Sequence, residues 1–181
     1  AILSYMGLVP LTMATPLAVA AATDGSSSAQ MALSEAGYNL GNMISGVIPG
    51  SIGSTSVIAI LLGLAYLMIT GVASSRIIFS GIAGAAVMGL LFNLFDIGGF
   101  ASLPFYYHLV MGGFLFGIVF MATDPVSAAA SNRGKIIYGF LIGVLTVIIR
   151  VANPAYPEGI MLAILFMNVM APMVDHYVVQ G

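Results

Sequence analysis

Apolar residues in this chain run together instead of alternating, and the polar residues collect in short breaks between the runs. Runs near 1–22, 56–73, 76–95, 105–122, 136–152 and 159–179 each approach the ~20 apolar residues that a helix needs to cross a bilayer. The pattern predicts an all-α integral membrane protein with about six transmembrane helices. Pro10 and Pro16 fall inside the first run, where each removes a backbone donor and kinks a helix whose neighbours must satisfy the freed carbonyl. The sharpest breaks are Phe120-Met-Ala-Thr-Asp-Pro-Val-Ser127 and Asn153-Pro-Ala-Tyr-Pro-Glu-Gly159, so the polar chemistry belongs to loops.

Residues 23–55 follow a different pattern. They are rich in Gly and Ser, carry Asp24 and Glu35, and include a half-apolar piece from Met31 to Pro49 that is too polar to span. A short re-entrant or interfacial helix fits that piece, with a plain loop as the alternative. Pro49-Gly50 and Ser51-Ile-Gly53 then read as the turn into the next helix, capped by Ser54, Thr55 or Ser56. Gly113 with Gly117, and Gly139 with Gly143, have the spacing that lets two membrane helices approach closely. Gly81, Gly84 and Gly89 in the third run complete the expectation of a tight bundle. Phe105, Tyr106 and Tyr107 are grouped as an interfacial aromatic belt would be.

Composition supports lipid as the solvent. With 60% hydrophobic and 6% charged residues, the chain has too few charges to coat a water-soluble globule. The net charge is −2 and the four basic residues are scattered, which gives no support to nucleic-acid binding or a polybasic lipid anchor. Without cysteine there is no disulfide, thiolate metal site or Cys-ligated cluster. Arg76, Arg133 and Lys135 fall on one face of a six-span arrangement and Arg150 on the other. The positive-inside rule places the first three in the cytoplasm, with 23–55, 96–104 and 150–158 outside, the periplasm in a bacterium. The chain begins with Ala1 inside an apolar run, and 1–181 reads as one membrane domain forming the C-terminal part of a larger subunit.

Asp96, Asp124, Glu158 and Asp175 all lie in or beside turns, so no carboxylate relay crosses the middle of a span. Asp124-Pro125 predicts a helix N-cap followed by Pro at the first helical position. Pro157-Glu158 predicts a carboxylate at the positive end of the last helix. His108 and His176 are singletons at span ends, expected as interfacial hydrogen-bonders. Asn93, Thr146 and Asn168 are polar residues within spans, expected to bond across helices. The chain has no nucleophile–His–acid set, phosphate-cradling Gly loop or nucleotide fingerprint, so it holds no complete active site of the soluble type.

Several separated blocks carry a resemblance: Gly50-Ser-Ile-Gly-Ser-Thr-Ser56, the Phe120–Ser127 break, Arg150-Val-Ala-Asn-Pro-Ala-Tyr-Pro-Glu-Gly159, Leu162-Ala-Ile-Leu-Phe-Met-Asn168 and Asp175-His-Tyr-Val-Val-Gln180. Together they resemble the B subunits of sodium-translocating NADH:quinone oxidoreductases and the related D subunits of Rnf complexes. The resemblance implies a urea-transporter-like fold of two inverted repeats, ten helices in all, of which this chain is the C-terminal half. It also implies a bacterial inner-membrane subunit that works with other subunits, quinone and Na⁺ and carries flavin, as FMN with riboflavin as a second form. In that family FMN is joined through its phosphate to Thr in a periplasmic motif of the type Asp-x-x-Ser/Thr-Gly-Ala-Thr/Ser. Asp24, Ser27 and Ala29 fit it, whereas Ser28 stands for Gly and Gln30 stands for the acceptor. A carboxamide forms no phosphoester, so this register implies loss of the covalent link, a noncovalent flavin, or an ester on Ser26, Ser27, Ser28 or Ser34. A solute channel of the same fold is the rival expectation.

Overall fold

The computed structural model of the chain describes residues 15–22, 29–51, 53–95, 103–153 and 158–180. Among these the structure is helical, with no strand. The short α1 (Pro16–Ala21), α2 (Ala29–Glu35) and α3 (Leu40–Ser45) precede α4 (Val57–Ile69) and α5 (Ser75–Leu94). Next come α6 (Phe105–Val110), α7 (Phe114–Phe116) with a π-helical turn over Gly117–Met121, α8 (Asn132–Ala152) and α9 (Ile160–Gln180).

Local sequence explains most of the boundaries. The Thr15 side chain accepts from the Ala18 N–H at 3.2 Å and Pro16 stands at the first helical position, so Pro16 starts α1 instead of kinking a longer helix. Ser56 caps α4 by accepting from Ala59, as the Ser54–Ser56 cluster predicts. Ser131 caps α8 through the Gly134 N–H at 3.1 Å. The Met31–Pro49 piece is helical in two parts, because Gly37 at φ +80 separates α2 from α3.

Among the described residues three helices, α5, α8 and α9, with 20, 21 and 21 residues, are long and apolar enough to cross a membrane. At 1.5 Å per residue each is about 30 Å long, and they match the runs at 76–95, 136–152 and 159–179. The run at 56–73 forms a helix of only 13 residues, about 20 Å at the same rise, because Gly71 at φ +71 and the Thr70 hydroxyl, bonded back to the Tyr66 and Leu67 carbonyls, close it early. The run at 105–122 is interrupted: Met111 is extended and Gly112 takes φ +67. Of the first run only 15–22 is described, so Pro10 lies outside the described residues, as do 23–28, which include Asp24, Ser27 and Ser28, and 96–102, which include Asp96.

The bundle is organised around α5 and α8, which run parallel and make the most extensive contact of any helix pair. A methyl at Gly84 would collide with the Phe140 backbone, one at Gly139 with the Ile77 carbonyl, and one at Gly143 with the Gly81 carbonyl. The 139/143 spacing therefore does what it predicts. The 113/117 pair does not. Gly113 lies in the break and faces the Glu158 carboxylate, while Gly117 packs on the Ile160 side chain.

The main core joins Ile77, Ile78 and Ala85 of α5, Phe114 and Ile118, Tyr138, Ile142 and Val147 of α8, and Ala163 and Met167 of α9. A second core gathers Leu17, Ala29, Leu33, Tyr38 and Met43 onto Tyr107 and Met111. Outward faces are apolar: Ile69, Leu94 and Val169 are all more than three-quarters exposed, as lipid-facing positions should be.

Candidate functional site

The interrupted helix creates the most unusual chemistry of the chain. Ending α6 at Val110 leaves its last carbonyls without intrahelical donors, and starting α7 at Phe114 leaves N–H groups without acceptors. Both ends are met by charged side chains from one neighbouring segment. Arg150, near the end of α8 and only 1% exposed, donates Nη1–H to the His108 carbonyl, Nη2–H to the Met111 carbonyl at 3.1 Å and Nε–H to the Glu158 carbonyl at 3.3 Å. Its guanidinium carbon lies 5.9 Å from the centre of the Phe114 ring. The Glu158 carboxylate accepts from the Gly113 N–H at 3.1 Å. A cation thus faces the negative end of one half-helix and a carboxylate the positive end of the next. Glu158 stands before the last helix, as its place in the sequence predicts, but its carboxylate serves α7 instead of α9.

Glu158 also lines two cavities. One, about 340 Å³, is lined by Phe116, Gly117, Met121, Ile160 and Met161 with Ser51 and Ser54 at its polar end. The other, about 40 Å³, reaches from Ser51, Ser54 and Glu158 to Thr15, Pro16 and Leu17. The turn at Ser51–Ser54 holds itself in place through a bond between the two hydroxyls.

His108 lies inside the protein. It is fully buried, because Gly89 has no side chain to keep α6 off α5. His176 remains exposed beside Tyr177. Asn168 bonds across helices, accepting from the Tyr138 hydroxyl. Thr146 instead returns its hydroxyl to the Ile142 carbonyl of its own helix at 2.7 Å, and Asn93 is exposed.

At the opposite end of the bundle Asp124 does not start a helix. Its carboxylate accepts from the Ser127 N–H at 3.1 Å and the Ser127 hydroxyl at 2.8 Å, closing a single turn, and α8 begins only after the Ser131 cap. The bonds to Ser127 hold the Asp124 carboxyl below its ordinary pKa. Asp175 of α9 accepts from the Ala130 and Ser131 N–H groups at 2.6 and 3.0 Å, so a residue remote in sequence reinforces that cap. Arg76 donates to Asn132 at 2.7 Å. Arg76, Arg133 and Lys135 are thereby on one end and Arg150 on the other, as their positions in the sequence predict.

Of the flavin-motif residues, only Ala29 and Gln30 are described. Ala29 is buried in the second core, whereas Gln30 is exposed on an open cleft of about 530 Å³ lined by Met31, Ser34, Tyr38, Asn39, Leu40 and Tyr107. The Ser34 hydroxyl donates to the Met31 carbonyl at 2.8 Å. In sequence the motif also reads in a second register. Thr12-Met13-Ala14-Thr15 has a hydroxyl at both hydroxyl positions and Ala between them, and departs at Met13 for Gly and Val9 for Asp. Thr15 is partly exposed at the start of α1 and lines the smaller cavity with Glu158.

A family model described as the NQR2, RnfD, RnfE family matches residues 5–181. The protein of Chromohalobacter salexigens named as the B subunit of Na(+)-translocating NADH-quinone reductase is 52% identical over 172 residues, 94% of this chain and 40% of that protein. Proteins of the same name from Azotobacter vinelandii and Pseudomonas aeruginosa PAO1 are 54% and 51% identical over 138 residues, 75% of this chain and 34% of each. The chain thus spans two fifths or less of the length of these relatives. A match over almost the entire chain, together with identity above one half, leads to one conclusion: this chain belongs to the NQR2, RnfD, RnfE family.

Proposed function

We propose that this chain forms the flavin-bearing part of a membrane subunit in a respiratory, sodium-pumping NADH:quinone oxidoreductase. It contributes to electron transfer toward quinone, works with the other subunits of the complex and has no NADH site of its own. The observation that carries this reading is the extent of its identity to proteins named as the B subunit of Na(+)-translocating NADH-quinone reductase, which covers 94% of the chain in one relative. Three apolar membrane-length helices, the 13-residue α4 and the interrupted α6–α7 segment are compatible with a six-span, urea-transporter-like half.

The residues present fit a phosphoester-linked FMN in the Thr12–Thr15 register. Thr15 offers a hydroxyl at the acceptor position, whereas Gln30 offers a carboxamide that cannot be esterified. Bound there, FMN would supply redox chemistry that accepts and releases electrons one or two at a time. The ester belongs to Thr15, and the open cleft at Gln30, lined also by Ser34, Asn39 and the largely buried Tyr38 and Tyr107, is a separate surface on which a flavin ring can be held noncovalently. Asp24, Ser27, Ser28 and Ala29 precede Gln30 in the sequence. In this reading the Thr15, Gln30 and Glu158 end faces the periplasm, because Arg76, Arg133 and Lys135 mark the cytoplasmic end.

The test is NADH-driven, Na⁺-stimulated quinone reduction by membranes containing the whole complex. Thr15→Val should reduce it to background while Gln30→Ala leaves most of it. Full activity in Thr15→Val would overturn the assignment. Solute flux through the full-length subunit reconstituted alone, with no quinone-linked activity in the complex, would favour the channel.

A further inference from the structure

A groove on the outer surface between α5 and α8 has no place in the redox reading. It holds about 430 Å³ and is lined by Ser75, Arg76, Phe79, Ser80 and Ile136. Its lining is polar at the start of α5, with Ser75 and Arg76, and mixed one turn further on, where Ser80 stands beside Phe79. Arg76, Ser75 and Ser80 are polar, while Phe79 and Ile136 are 65% and 48% exposed and form an apolar wall that faces outward. Because α5 and α8 are parallel, both present their N-termini at this end. The first N–H groups of each helix lack intrahelical acceptors, and the two macrodipoles place partial positive charge together.

The charges reinforce this gradient. The one hydrogen bond of Arg76 among the described residues goes to the neutral Asn132 side chain, at 2.7 Å. That bond holds the guanidinium across the α5–α8 junction without neutralising it. The nearby acids keep their charge but bond other groups, Asp124 to Ser127 and Asp175 to Ala130 and Ser131, and neither bonds Arg76. Arg133 and Lys135 lie at the same end but do not line the groove, and Lys135 faces the charge of Asp175. A membrane span that presents an unneutralised guanidinium above an exposed aromatic and aliphatic wall matches a molecule with an anionic head and apolar tails.

We propose that this groove binds an anionic phospholipid, with its phosphate diester on Arg76 and Ser75 and an acyl chain along Phe79 and Ile136. Basic pockets between helices at a membrane surface recognise anionic headgroups in this way. Arg76 supplies the charge and the Asn132 contact fixes its direction. The apolar wall makes a lipid, and not a free phosphate ion, the fitting ligand.

The experiment is native mass spectrometry of the intact membrane complex released from nanodiscs of phosphatidylglycerol and phosphatidylcholine mixed equally. Retained phosphatidylglycerol should exceed phosphatidylcholine, and Arg76→Gln should lower the preference by about five-fold, as expected for one surface cation near the headgroups. Arg76→Lys, which keeps the charge, should retain most of it. Arg133→Gln, at the same end but outside the groove, should leave it unchanged, and Phe79→Asp should lose phosphatidylglycerol like Arg76→Gln. Equal retention by wild type and Arg76→Gln would overturn the proposal. So would an equal loss in Arg133→Gln, which would mean a diffuse surface potential, or displacement by inorganic phosphate, which would mean an anion site without lipid.

Discussion

Arg150 shows how much a single side chain has to do at an interrupted helix. Its three donors are directed to backbone carbonyls of His108, Met111 and Glu158 in a region it shares with Phe114, so removing it leaves several buried acceptors and a carboxylate without their cation. Arg150→Met is expected to destabilise the folded protein by about 3 kcal/mol, seen as a lower unfolding midpoint in detergent. Arg150→Lys should recover only part of that loss, because an ammonium cannot reproduce the planar fork. The sequence shows Arg150 as the odd basic residue on its side, but not what it bonds, since its partners are main-chain atoms. The same limit explains Asp124. Asp-Pro resembles a helix start, yet the carboxylate bonds to Ser127 and closes a turn. Because those bonds lower the Asp124 pKa, the turn is fully supported above the ordinary value of 3.8 and weakens as pH falls through the lowered folded value. Hydrogen exchange of the 122–128 peptide should accelerate in that acid range. Ser127→Ala should move the onset to higher pH, and an onset unchanged by that variant would contradict the assignment.

At the scale of elements, hydropathy locates α5, α8 and α9 to within a few residues, because a long apolar run has few alternatives in lipid. It misreads 105–122 as continuous because Gly112 and Gly113 have no hydropathy penalty, whereas a φ of +67 at Gly112 ends a right-handed helix. The glycine spacings separate in the same way. Gly139 and Gly143 meet backbone across the α5–α8 contact, but Gly113 and Gly117 belong to a broken element. Gly143→Ala should therefore cost about 1–3 kcal/mol through overpacking, because the carbonyl of Gly81 is main chain and cannot rotate aside. Gly41→Ala in α3, where nothing lies within 4 Å of an added methyl, should be neutral or stabilise by about 0.5–1 kcal/mol. Thermal denaturation of the two variants side by side tests the distinction.

For the whole molecule, the partition of charge defines two ends, Arg76, Arg133 and Lys135 at one and the Arg150–Glu158 pair with α1–α3 near the other. Family membership was legible in separated blocks such as Arg150–Gly159, whereas the choice of acceptor rests on register alone: Asp24, Ser27 and Ala29 favour the 24–30 alignment, and the hydroxyl of Thr15 favours the proposed one. In a cysteine-free background of the full-length subunit, Ser34→Cys should react with an impermeant maleimide from the periplasm, and Arg133→Cys only from the cytoplasm. The measurement that most directly tests the central claim is flavin fluorescence of the denatured subunit followed by mass mapping of its peptides. A fluorescent chain with one FMN phosphoester on Thr15, absent from Thr15→Val, is the predicted result. A dark, unmodified chain isolated from an active complex, or an ester on a serine between 26 and 34, would contradict it.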